Sequence, residues 1–319
     1  MRTISRWILA GAAAAASIGA QSAPPWSHGA NNPAARKGYV FPVDDVDNVP
    51  DLHGNPADAR LVLFIGGNQF MVMPKLVAGF ERIHPELRGH IFYETLPPGI
   101  LRQQLAHEGI LTLGNLTLEV QADVYEAGAS VVAQMAQEGR VERSVTYARN
   151  SLEIMIPADN PRKIGGLKDL GRADVRLSMP NPEWEGVARQ IGAALRLAGG
   201  DELYRAVMET KVKGGSTYLT RIHHRETPMR IMNGKADAGV TWASEERFQE
   251  KIGNPVAGVA IPKEQNVVAS YAAGVLKPAP HAEAAREWVS YLQSAEAQAA
   301  YREFGFEIPG PDAGAKGGR

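Results

Sequence analysis

The residues best suited to hold a ligand sit where apolar runs break into helix-starting types. "LFIGGNQF" (63–70) ends on Gly67, Asn68 and Gln69, and "ETLPPG" (94–99) offers Thr95, Pro97, Pro98 and Gly99. "PNPEWEG" (180–186) offers Asn181, Pro182, Glu183, Trp184 and Gly186, and "ETPM" (226–229) offers Thr227, Pro228 and Met229. Asn and Thr are good helix N-caps, and Pro suits the first helical position because its missing N–H would have no partner there. Four such starts facing one another would present unpaired N–H groups and positive dipole ends, enough to hold a small anion without a cationic side chain. The expected contacts are the amides of Asn68 and Gln69 and backbone donors near Gly99, Gly186 and Met229.

Other reactive types are less organised. Glu94, Glu183 and Glu185 stand beside these corners and could form an acid–base pair or hold a cation, although acidic residues also simply suit helix starts. His223-His224-Arg225 looks reactive, but adjacent side chains point apart on either kind of element, so the run predicts a solvated polar segment rather than a metal centre. In "VDDVDNVPDLHG" (43–54), Asp45 and Asp47 begin a calcium-loop pattern that fails at Val49 and Pro56, leaving a solvated acidic loop. Two readings stay open for Trp184 and Trp242, lid aromatics or packing. No G-x-S-x-G, P-loop, H-E-x-x-H or G-x-G-x-x-G is present, and Gly66-Gly67 lacks the third glycine of a dinucleotide turn. With no Cys there is no thiolate nucleophile, disulfide or Cys-held metal. No catalytic residue, cofactor or metal is assigned from these patterns.

The elements that must position these corners alternate. "RLVLFIG" reads as a buried strand, "PKLVAGFERIHPEL" as a helix with Leu76, Val77, Phe80, Ile83 and Leu87 on one face, then "HIFYETL" as a strand, "GILRQQLAHEG" as a helix and "ADVYEAG" as a strand. An extended apolar segment, "SVTYARNSLEIMIPADNP" (144–161), leads to a second alternating series: "VRLSMPN", "EGVARQIGAALRLAG", "DELYRAVM", "RETPMRIMNG" and "KADAGVTWAS". A second extended segment, "VASYAAGVLK", precedes two terminal helices. The pattern predicts an α/β protein of two lobes with mixed, largely parallel sheets, joined by two crossing strands and separated by a cleft. Residues 60–148 and 266–308 are assigned to the first lobe, and 149–265, with the crossing segment, to the second. Residues 23–59 are expected to be an extended mature N-terminus and 309–319 a disordered tail.

The chain's 319 residues are 44% hydrophobic, ample for two cores. Its 34 Lys and Arg against 35 Asp and Glu give a formal charge of -1, without the basic face that nucleic acid requires. Arg2 and Arg6 precede Trp7-Ile8-Leu9 and an alanine-rich stretch ending Ala20-Gln21-Ser22-Ala23, which reads as a signal peptide over 1–22, cleaved after Ser22 or after Ala20. The apolar stretch is short of the roughly 20 residues of a span. An exported periplasmic protein without a lipid anchor is expected.

The run "YARNSLEIMIPADNP", the following "IGGLKDLGRADVRLSMPNP", "NGKADAGVTWAS" and the terminal "LQSAEAQAAYREFGF" together resemble the type 2 extracellular solute-binding proteins of ABC importers, in their molybdate-binding-like branch. The resemblance covers about residues 60–307. It implies the periplasmic binding protein type 2 fold, a monomer whose lobes close on an oxyanion-like solute, delivery to an inner-membrane ABC permease, and no catalysis. By resemblance the site falls on Gly67, Asn68 and Gln69, on Leu96 to Gly99, on Glu183 to Gly186, and on Thr241 or Trp242. Molybdate binders place serines at the first two corners, and this chain has amides and prolines there. A sensor reporting to a membrane receptor and a binder of a cation through the cleft carboxylates are the competing functions, followed by an exported hydrolase using Glu94 or Glu183.

Overall fold

The computed structural model describes residues 26–28, 39–41, 51–113 and 116–310. The expected signal peptide, Asp45, Asp47 and residues 311–319 of the tail lie outside the described residues.

Three short strands, β1 (Trp26–His28), β2 (Tyr39–Phe41) and β3 (Leu52–His53), lead to β4 (Leu61–Ile65), all five residues of which are buried. Because strand side chains alternate, Leu61, Leu63 and Ile65 enter one core while Val62 and Phe64 enter another. Helix α1 (Met73–Ile83) stops where Pro85 follows, and β5 (Ile91–Glu94) then pairs in parallel with β4. After α2 (Pro98–Ala106) comes a hairpin, β6 (Ile110–Leu113) and β7 (Leu116–Glu119), and then β8 (Val124–Gly128) and α3 (Ala129–Gln137). The hairpin and α3 were not expected from the sequence. β1 and β2 flank the hairpin in a four-stranded sheet ordered β1-β7-β6-β2.

The chain crosses between lobes in one nearly continuous extended run, β9 (Val141–Asn150) and β10 (Leu152–Pro157). The second lobe adds β11 (Leu177–Met179), α4 (Val187–Arg205, bent at Gly199–Gly200), the short α5 (Lys211–Lys213) and β12 (Thr217–Leu219). It continues through α6 (Glu226–Met232), β13 (Gly239–Trp242), α7 (Ala243–Lys251) and β14 (Val256–Ala260). The return crossing leads into β15 (Ala269–Leu276), and α8 (Ala282–Tyr291) and α9 (Ala295–Glu303) close the first lobe.

The first lobe is built on a six-stranded sheet ordered β3-β5-β4-β8-β15-β9. Its β4 pairings are parallel, whereas β15 runs antiparallel to both β8 and β9 because it re-enters from the other lobe. On one face lie Phe80 of α1 and Trp288 of α8, ring centroids 5.1 Å apart and edge-on; on the other lie Ile100 and Leu101 of α2 and Val132 and Met135 of α3. Each such fully buried side chain contributes about 1.5–3 kcal/mol of burial free energy. In the second lobe β10 sits between β13 and β14, and β11 pairs in parallel with β12, with a bridge from Leu177 to Ala238 tying the two parts together. The two crossings are tied side by side by Asn266, whose amide accepts from Leu152 N–H at 2.9 Å and donates to Leu152 O at 2.8 Å, as a paired strand would.

Candidate functional site

Between the lobes lies an inner cavity of about 100 Å³. The first lobe lines it with Gly67 and Asn68 after β4, Pro98 at the start of α2, and Gly128 and Ser130 at the start of α3. The second lobe contributes Glu185, the start of α4 at Gly186 and Val187, then Arg189 and Gln190, with His224 and Trp242. Tyr271 of β15 completes the wall, its hydroxyl accepting from Asn68 Nδ2 at 2.9 Å and its ring edge-on to Trp242 at 5.8 Å. A larger outer chamber of about 410 Å³ adjoins it and shares Pro98, Val131, Glu185, Gly186 and Arg189.

The lobes meet through a buried charge cluster. Asp51 is anchored in the first lobe by Thr95, whose N–H donates to Asp51 O at 2.9 Å and whose hydroxyl donates to Asp51 Oδ1 at 2.8 Å. From the second lobe His223 Nε2 lies 2.5 Å from Asp51 Oδ2, and the Arg225 guanidinium pairs with Asp51 Oδ1 while lying over the Phe70 ring at 4.5 Å. Burial alone would raise the pKa of Asp51, but the charges and hydrogen bonds of His223 and Arg225 hold it below the usual carboxylate range. Gly67 belongs to this joint: a Cβ there would lie 2.9 Å from Thr95 O and 3.0 Å from His223 Nδ1. At Gly99 a Cβ would lie 2.7 Å from Trp184 Cα, and the Gly99 N–H donates across the cleft to Trp184 O at 3.1 Å. Both glycines therefore permit close approach of the opposite lobe.

His224 faces the other way, into its own lobe. Its Nδ1 is 3.2 Å from each Glu185 oxygen, its backbone N–H donates to Glu185 Oε1 at 2.5 Å, and its Nε2 is 2.6 Å from Glu245 Oε2. Burial would lower the pKa of His224, but Glu245 and Glu185 outweigh it and raise the imidazole to about 10. Burial would raise Glu185, yet its interactions with His224 hold it low. The contact to Glu245 is close but poorly aligned for a hydrogen bond, so it acts chiefly through charge. The two carboxylates flank opposite ring nitrogens and do not converge on a common ion position. Among the described residues, the cluster with metal-ligand spacing is His84, Glu86 and Glu287, near the C-terminal end of α1 and away from the cleft.

The expected solvated character of His223-His224-Arg225 is overturned. Both histidines are buried and Arg225 nearly so, because each finds a carboxylate: Asp51 for His223 and Arg225, Glu185 and Glu245 for His224. Within the acidic segment 43–54, Asp51 is likewise buried rather than solvated. None of the four expected capping side chains caps its helix. Asn68 is drawn to Tyr271, Thr95 to Asp51, Asn181 to the N–H of Glu183 at 3.0 Å, and Thr227 to Ser178 Oγ at 3.1 Å. Pro98 does occupy a first-turn position of α2.

Of the residues named from sequence, Gly67, Asn68, Pro98, Gly186 and Trp242 line the inner cavity, and Gly99, Glu183 and Trp184 line the outer chamber. Gln69 is turned into the first-lobe core, where Tyr301 donates to its Oε1 at 2.8 Å. Thr227 and Thr241 are fully buried within the second lobe, and Met229 is exposed on α6; none of these lines either chamber. Glu94 is fully buried on β5, its pKa pushed up to about 8 by burial, and accepts from Gln104 at 3.1 Å instead of facing the cleft. Sequence reasoning missed Ser130, Arg102, Arg189, Gln190 and Tyr271. The small residues of "EAGAS" after a strand were the one available signal for Ser130.

Two mixed α/β lobes, two crossing strands and a cleft between the lobes define a periplasmic binding protein fold of type 2. The chain belongs to the bacterial extracellular solute-binding proteins, whose family model matches residues 61–307. The molybdate-binding protein ModA of Mycobacterium tuberculosis H37Rv is 26% identical over 199 residues, covering 61% of this chain and 69% of that protein. Among solved structures, the sulfate-binding protein SubI of Mycobacterium tuberculosis H37Rv superposes with a TM-score of 0.62 at 16% identity, covering 79% of this chain and 87% of that one. The Azotobacter vinelandii periplasmic molybdate-binding protein superposes at 0.61 with 14% identity, covering 78% of this chain and all of that one, 100%. At such identities the structural likeness is one of fold. No helix among the described residues is long and apolar enough to cross a membrane.

Proposed function

We propose that this protein is a periplasmic receptor that captures a small anion between its lobes and delivers it to the permease of an ABC importer, acting as a monomer and without catalysis. Family membership and the likeness to proteins named for molybdate and sulfate support capture and delivery. The observation that carries the anion is the inner cavity, lined by the first turns of α3 and α4, Arg189 among them, and by Asn68, whose amide also donates to Tyr271. Unpaired N–H groups and a guanidinium favour negative charge, and the nearest acid, Glu185, is already paired with His224. Closure then follows from preferential affinity for the closed form.

The test is a thermal-shift panel of oxyanions, carboxylates, organic phosphates and divalent cations. One anion is expected to raise the melting temperature, and Asn68→Ala to reduce that rise. Stabilisation by a divalent cation alone would instead assign the ligand to Glu183 and Glu185 and overturn the anion reading.

A further inference from the structure

Resting on that reading, we propose that the solute is an organic molecule bearing at least two anionic groups, with Arg102 of the first lobe and Arg189 of the second as the cations that select it. The inner cavity, about 100 Å³, has room for one small anionic group, since a liquid water occupies about 30 Å³. The adjoining chamber, at about 410 Å³, is in the range of sites that enclose whole organic molecules and would stand largely empty around a bare tetrahedral oxyanion.

Charge in that chamber points the same way. Three arginines line it, Arg102, Arg189 and Arg196. Arg196 is committed, with Nε donating to Asp201 at 2.8 Å and its guanidinium 3.7 Å from the Tyr204 ring centroid. Arg102 and Arg189 make no ion pair among the described residues, and the lining acids are Glu183 and Glu185, the latter held by His224. The neutral donor expected at Gly99 is meanwhile spent on Trp184 O, and the cation that the first lobe brings to the outer chamber is Arg102. Pro98, Val131, Pro182 and Trp184 supply the apolar walls that an organic skeleton needs and a bare oxyanion does not. Guanidinium is suited to bidentate pairing with carboxylate or phosphate, and one arginine from each lobe would bridge a two-headed solute.

Calorimetric titration of the full mature chain with 3-phosphoglycerate, citrate, molybdate and sulfate tests this. At least one organic anion should bind ten-fold or more tightly than molybdate or sulfate. Arg102→Gln and Arg189→Gln should each weaken that organic anion at least ten-fold, with Arg→Lys recovering part of the loss, while the unliganded melting temperature stays at the wild-type value. Equal or tighter binding of molybdate or sulfate, or Gln variants that bind the organic anion as the wild type does, would overturn this inference and leave anion capture standing. If none of the four anions binds, this inference is overturned, and anion capture with it when no anion of the thermal-shift panel stabilises the protein either.

Discussion

Asp51→Asn should open the cleft. The substitution keeps the side chain's shape and an acceptor for Thr95 but removes the charge that His223 and Arg225 share. Removing one member of a buried ion pair typically costs about 3–5 kcal/mol because the partner is left uncompensated. Here Arg225 retains 11% exposure and its Phe70 ring contact, so part of that loss is recovered and about 2 kcal/mol remains. Asp51 is fixed to the first lobe, whereas His223 and Arg225 belong to the loop before α6 in the second, so this energy is present only in the closed form. A deficit of about 2 kcal/mol lowers the closing equilibrium, and with it the apparent affinity, by about 30-fold. Small-angle scattering should report a larger radius of gyration for the unliganded variant, and calorimetry the weaker binding. The wild-type clasp should also weaken in acid: the folded pKa of Asp51 lies below its unfolded value of about 3.9, so its contribution is intact above that value and lost as pH falls through the folded one. An unchanged radius and affinity, with only the melting temperature lowered, would refute the clasp and reduce Asp51 to a first-lobe core residue.

Three further outcomes are expected. His224, raised to about 10 against an unfolded value of about 6.5, stabilises fully below pH 6.5 and loses that contribution as pH rises through about 10; His224→Gln should therefore lower the neutral melting temperature and flatten its alkaline decline, and identical alkaline slopes would contradict the assignment. Lys211 Nζ donates to the carbonyls of Leu170, Arg172 and Val175 at 2.9, 2.7 and 2.6 Å, so Lys211→Met should cost about 2–3 kcal/mol in urea unfolding, with a loss under about 0.5 kcal/mol showing that water replaces it. Gly99→Ala places a methyl 2.7 Å from Trp184 Cα and should weaken ligand binding at least about ten-fold in calorimetry. Because the clash lies across the joint between lobes and not within α2, the unliganded melting temperature should fall little, and a large loss of fold stability would point to a role within α2 instead.

The local parts of the fold were legible. Five consecutive apolar residues at β4 survive into the structure, as does the long crossing run of β9 and β10, and Leu76, Val77 and Phe80 of α1 do pack on the core; the stripe fails at its end, where Ile83 is 51% exposed and Pro85 places Leu87 beyond the helix. What escaped was set by contacts remote in sequence. His223 and Asp51 are separated by 172 residues, and nothing in the periodicity around either announces a partner. The same holds for the missed caps, since Asn68 reaches Tyr271 across 203 residues and thereby abandons its local role. Helix α3 was obscured for another reason: Val132 and Met135 are its only buried side chains, too few to mark a stripe.

The clasp and the arginines pull against each other, and that opposition is what could make closure respond to a solute. Asp51, His223 and Arg225 favour the closed form in any solvent near neutral pH, so acting alone they would leave a ligand little to shift. Closure also brings Arg102 on α2 and Arg189 on α4, both solvent-exposed, to line one chamber, where like charges repel. On the proposal above, an anion with a group for each arginine converts that repulsion into two attractions, so its differential affinity for the closed form is large where a neutral solute's would be small. Replacing both arginines by glutamine should then populate the closed form more fully than in the wild type without any solute, visible as a smaller unliganded scattering radius that anions reduce less; an unchanged radius would show that the arginines do not oppose closure.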